Sequence, residues 1–212
     1  MPVLLQSLAG YGVRDVGGML AFRAGGVATG MFIVSQVSDR VDPRILFLCG
    51  FSSLVTSAWI MSGWTMSIRT IDAGLVMFLN GFGSSTSYVP LSMLAFSTLA
   101  ERVRNEAMAL FYVGQTLGTA TGTAVIYNVL TRGMRVNHDS MSEVLTPYNA
   151  LFKHGVLPGV WNLTTPGGLA ALDAEIGRQA AMVAYNSSFH LIAVVGILVL
   201  PMAFLVRRPT RR

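Results

Sequence analysis

The stretch Ser35-Gln36-Val37-Ser38-Asp39-Arg40-Val41-Asp42-Pro43-Arg44 separates two apolar runs, Gly17 to Val37 and Ile45 to Trp64, each long enough to cross a bilayer. Its Asp and Arg side chains must remain in water or pair with each other. The decapeptide therefore forces a tight turn at one membrane face and closes the flanking helices into a hairpin.

Composition agrees with that reading. Charged residues make up 12% of the chain and hydrophobic residues 52%, with a mean hydropathy of +0.57, where a soluble domain is about a quarter charged. A bilayer core about 30 Å thick needs about 20 apolar residues at roughly 1.5 Å each. Five runs qualify: the two above, then Ala73 to Phe96, Ala107 to Leu130 and Ala184 to Val206. Met1 to Leu8 reads as the tail of a further span whose beginning is missing. Cys49 is the single cysteine, which excludes internal disulfides and cysteine metal cages. The net charge of +5 is spread over loops and not gathered into one stripe, so it argues against nucleic acid as a partner.

Basic residues set the expected orientation. Arg207-Arg208-Pro209-Thr210-Arg211-Arg212 follows the last span directly, which predicts a cytoplasmic tail. Counting back one crossing per span puts Arg40, Arg44, Arg102 and Arg104 on the same side. The chain thus divides into residues 1–130, a truncated first helix plus four spans; 131–183, a long outer loop with a short amphipathic helix after Thr165-Pro166; and 184–212, the last span and its basic tail. Glycines Gly17, Gly18, Gly25, Gly26 and Gly30 predict that the Gly17–Val37 helix faces protein on one side. Gly114, Gly118 and Gly122 form a second seam at four-residue spacing, suited to tight helix packing.

All ten acidic residues fall in loops or at span ends, so this stretch carries no intramembrane carboxylate of the kind a proton carrier uses. Arg23 is the charge that lies inside a span. It is a candidate for a polar cavity together with Asn80 and Gln115, with Phe82 and Tyr88 as aromatic partners; Asn80 and Gln115 serve equally well as helix-to-helix hydrogen bonders. The histidines have no metal-ligand spacing, and no metal or cofactor is expected. An intramembrane protease built on Ser85 and His190 is disfavoured, because the two lie at different depths.

In order along the chain, Leu5-Gln6 with Gly10-Tyr11, Phe22-Arg23-Ala24-Gly25-Gly26, the Ser38–Arg44 hinge, Gly81-Phe82-Gly83 with Val89-Pro90-Leu91, Ala109-Leu110-Phe111 with Gln115-Thr116-Leu117-Gly118, and the terminal Arg-Arg-Pro resemble the major facilitator superfamily. The likeness is to the C-terminal half of its fourteen-span, EmrB/QacA-type drug:proton antiporters. Phe22 replaces the family's proline and Ser35 a usual glycine. The resemblance implies an all-α integral membrane protein: the C-terminal six-helix bundle of a major facilitator fold, its first helix truncated, with substrate at the interface to the other bundle. It further implies Asp39, Arg40 and Arg44 as a gating hinge, and proton-coupled multidrug efflux from the bacterial inner membrane. The expected partners are the N-terminal half, hydrophobic drug-like substrates, protons, lipid and a periplasmic adaptor. A metabolite-exporting facilitator and a non-transporting membrane fragment or scaffold are the alternatives.

Overall fold

The computed structural model describes residues 2–8, 10–38, 40–96, 101–144 and 165–201. Within them the chain is all-helical: α1 (Pro2–Ser7), α2 (Val13–Val37), α3 (Pro43–Ser62), α4 (Thr70–Phe96), a 3-10 turn (Glu101–Val103), α5 (Arg104–Val144) and α6 (Pro166–Val199). Among the described residues, α2, α3 and α6 are long and apolar enough to cross a membrane. The five expected spans thus reduce to three by that measure. Helices α4 and α5 cover the other two runs, but their hydroxyl, amide and glycine positions dilute the hydropathy: Asn80 and Ser84 to Ser87 in α4, Gln115 and four threonines from Thr116 to Thr123 in α5.

The hinge is built from local capping. Helix α2 ends at Val37, and Val41 donates its backbone N–H to Val37 at 3.0 Å. Asp42 then caps α3, its carboxylate accepting from the Arg44 N–H at 3.1 Å, with Pro43 at the first helical position where its missing donor costs nothing. Asp39 lies outside the described residues. At the opposite end of α2, Gly10 adopts φ +71, a left-handed conformation open to glycine. This turn brings the Tyr11 N–H to the Leu5 carbonyl at 3.0 Å and lets the Tyr11 hydroxyl donate to the carbonyl of Ile68.

Helix α4 is the centre of the bundle and packs against α2 on one side and α3 on the other. The approach to α2 is backbone to backbone. A Cβ on Gly26 would lie 2.9 Å from the Phe82 nitrogen, and Gly81 sits directly on the carbonyl of Arg23. On the other side a Cβ at Gly83 would lie 2.7 Å from the Gly50 carbonyl oxygen, and one at Gly50 would lie 2.6 Å from the Thr86 carbonyl carbon. Pro90, inside α4 and buried, removes the donor that would bond the Thr86 carbonyl, and Gly50 occupies that flank. Such contacts suit lipid, where association depends on close packing and not on hydrophobicity.

Helices α5 and α6 form an antiparallel pair, and α6 also packs on α3. At 41 and 34 residues they are about 60 and 50 Å long, well beyond the ~30 Å hydrocarbon core. Thr131 to Val144, expected in the loop, are the last turns of α5, and Pro166 to Val183 run continuously into the last span. Thr165 caps α6, its hydroxyl accepting from the Gly168 N–H at 3.2 Å. Beyond the apolar part, His138 Nε2 meets Asp173 Oδ1 at 3.1 Å and Arg178 meets Glu175 at 2.8 Å. Residues 145–164 and the basic tail from 202 lie outside the described residues.

The apolar core sits at one end of the bundle, near Trp64. Leu4 and Leu5 of α1, Val16 and Met19 of α2, Met61 of α3, Ala73 and Met77 of α4, and Met182 of α6 are buried together there. Asn186 of α6 fastens the chain leaving α3 by donating to the Trp64 carbonyl at 2.8 Å.

Candidate functional site

The candidates identified in the sequence fall into three places. Arg23, Asn80 and Phe82 gather around the α2–α4 contact. Arg23 places its main-chain carbonyl on Gly81, with its Cγ 3.2 Å from where a Gly81 Cβ would be, and the side chain continues to an exposed position. Phe82 presents its main chain to Gly26 and Gly30 of α2. Asn80 turns the other way: its Nδ2 donates to Ser57 Oγ of α3 at 3.3 Å, and Ser57 in turn donates to the Leu54 carbonyl at 2.8 Å. Asn80 thus makes a hydrogen bond from helix to helix.

Tyr88 lies two turns beyond Phe82 on α4 and is 38% exposed. Gln115 stands apart on α5, because α4 and α5 meet mainly near the hinge end, where the rings of Phe96 and Phe111 lie 5.4 Å apart edge to face. Arg40 is exposed at the hinge and Arg44 half-buried.

A groove of about 650 Å³ runs along α5, lined by Gln115, Thr116, Thr119, Ala120, Thr123, Ala124 and Tyr127. Gln115, Thr119, Thr123 and Tyr127 recur every four residues and so share one helix face. This polar row runs beside Gly114, Gly118 and Gly122, where a Cβ would meet nothing within 4 Å. The glycine seam expected to pack a helix is open within the described residues. Sequence reading singled out Gln115 and the glycines but missed the threonines, although their spacing repeats that of the glycines one position later.

A second groove, about 340 Å³ and apolar, lies between α2 and α4, lined by Ala21, Phe22, Gly25 and Phe78. Phe22, which stands where the resembling family has proline, lays its ring over Gly74; a Cβ there would be 3.1 Å from the ring. Ser85 is not poised for nucleophilic chemistry: it is buried in α4, donating to the Gly81 and Phe82 carbonyls at 3.3 and 3.1 Å.

Among the described residues, nothing assembles a nucleophile with a base or a charged catalytic cluster. Long apolar helices and a glycine-welded core suit a membrane bundle, and one of its helices leaves a polar stripe open. Residues 1–123 match the Major Facilitator Superfamily, and the chain belongs to that family of transporters, which are not enzymes. It is 23% identical over 223 residues to the probable multidrug resistance protein EmrY of Escherichia coli K12, and 22% identical over 220 residues to the multidrug export protein EmrB of the same strain. Each alignment covers 99% of this chain and 41% of the relative, so the chain spans well under half the length of the relatives it matches.

Proposed function

We propose that this chain is the C-terminal bundle of a proton-coupled multidrug exporter of the bacterial inner membrane, with its C-terminus in the cytoplasm. The observation that carries the reading is the alignment of 99% of the chain with proteins named for multidrug export and resistance. The open face of α5 supports it: a polar row beside three uncovered glycines suits a helix that looks into a cavity shared with an N-terminal half.

In this mechanism Gln115 and its threonine neighbours supply weak, adjustable hydrogen bonds, while Phe82 and Tyr88 offer apolar contact to hydrophobic substrates. Arg23 pairs with a carboxylate of the other half or with an anionic group of the substrate. Asp39, Arg40 and Arg44 gate the cytoplasmic face by ion pairs that break as the two bundles rock. The proton-carrying acid belongs to the N-terminal half, since the acidic residues of this chain lie in loops or toward helix ends. The extended ends of α5 and α6 then face the periplasm, within reach of an adaptor subunit.

The test is dye efflux in an efflux-deficient strain expressing the chain alone and fused to the N-terminal bundle of a related exporter. The fusion should extrude dye until a protonophore collapses the gradient, and the chain alone should not. Efflux by the fusion that ignores the protonophore would defeat the proton-coupled reading.

A further inference from the structure

Methionines are not spread evenly through the packing of this molecule. The chain has twelve, and six meet at the Trp64 end: Met19 of α2, Met61 of α3, Met77 of α4 and Met182 of α6 in the buried cluster, with Met66 and Met134 of α5 packed against it. Every long helix contributes one. Elsewhere the contacts are of another kind. Helices α2, α3 and α4 are joined through glycines whose neighbours are backbone atoms, at Gly26, Gly50, Gly81 and Gly83. Backbone contacts of that kind cannot adjust without the helices separating.

The α5–α6 pair is joined to that unit differently. Helix α5 touches α4 little, and α6 meets α3 through α3 side chains, Val55 pressed against Gly196 and Trp59 beside His190 at 5.2 Å. The methionine cluster therefore lies at the seam between a three-helix unit joined backbone to backbone and a pair that meets it through side chains. Methionine is unbranched, with three rotatable bonds, so it refills a changing gap where branched side chains would clash or leave voids.

We propose that this methionine cluster is a deformable joint about which α5 and α6 shift, together, against the α2–α3–α4 unit. The transporter reading gives the joint its purpose, but the test reads geometry alone, so the two ideas fail separately.

The experiment uses the 212-residue chain in lipid nanodiscs, with Cys49→Ala and spin labels on Phe32→Cys of α2 and Leu110→Cys of α5, both exposed and far from the joint. Dipolar spectroscopy then reports the spread of the α2–α5 distance. Met61→Leu/Met77→Leu/Met182→Leu nearly conserves apolar volume and should narrow the distribution about twofold, whereas replacing all methionines by unbranched norleucine should leave it broad. Met182→Leu alone, the mildest variant, should narrow it in the same direction and serves if the triple variant does not fold. A distribution unchanged by leucine overturns the joint. So does one that norleucine narrows as much as leucine, because the sulfur and not the unbranched chain would then be responsible.

Discussion

Two glycine series in this chain have the same spacing and opposite surroundings. Gly26 and Gly30 of α2 are buried against the backbone and hydroxyls of α4, where added carbons would strike Phe78, Phe82, Ser85 and Thr86. Gly114, Gly118 and Gly122 of α5 face open space. A small residue every fourth position states that a helix can be approached closely. Where the approaching surface comes from is a separate question, and for α5 the described chain does not supply it.

The sharpest way to break that contrast is to fill both series with the same side chain. Gly26→Leu must push α2 off the Phe78 carbonyl and should destabilise the bundle by about 3 kcal/mol or more. Gly118→Leu should leave its stability unchanged or slightly raised, since an exposed helical glycine costs about 0.5–1 kcal/mol relative to alanine. Unfolding in mixed micelles measures both. In a fusion carrying the N-terminal bundle, Gly118→Leu should instead abolish dye efflux; normal efflux there would show that the α5 seam has no partner at all.

A smaller effect is expected at the Trp64 end. Asn186→Leu removes the donor to the Trp64 carbonyl, leaving a half-buried backbone acceptor unpaired, and should cost about 1–3 kcal/mol. The same change also removes the buried Asn186 Oδ1, which has no hydrogen-bond partner, so the loss should fall toward the lower value. At the hinge, Asp42→Ala deletes the cap of α3 and should cost about 1 kcal/mol by the same measurement. A loss at Asp42 as large as at Gly26 would mean that the hinge, and not the α2–α4 contact, holds the hairpin.

Much of this architecture was legible in the residues. The apolar runs, the Asp-Arg hinge and the order of the family-like motifs each follow from local composition and led to an all-helical membrane bundle. What escaped reading depends on tertiary partners. Thr131 to Val144 looked like loop because hydropathy detects lipid, and a polar helix in water packed on another helix leaves no such trace. Asn80 had two open roles, and its hydrogen bond to Ser57, 23 residues earlier, depends on how α3 and α4 pack. The threonine row of α5 was available at four-residue spacing, but its exposure depends on α4 and α5 diverging beyond Phe96 and Phe111.

The smallest predicted effect tests whether the closely packed series is optimised for stability. Thr86 is buried at 2% exposure where α2, α3 and α4 converge, and its hydroxyl has no hydrogen-bond partner. A helical threonine in an apolar setting ordinarily donates to the carbonyl four residues back, here that of Phe82, which lies against Gly30. Valine has the same shape without the stranded donor, so Thr86→Val should stabilise the bundle by up to about 1 kcal/mol. The measurement is again unfolding in micelles. A loss of stability would mean that the hydroxyl has a partner when the bundle is in lipid, and the α2–α4 seam would then be held by a polar bond as well as by close backbone packing.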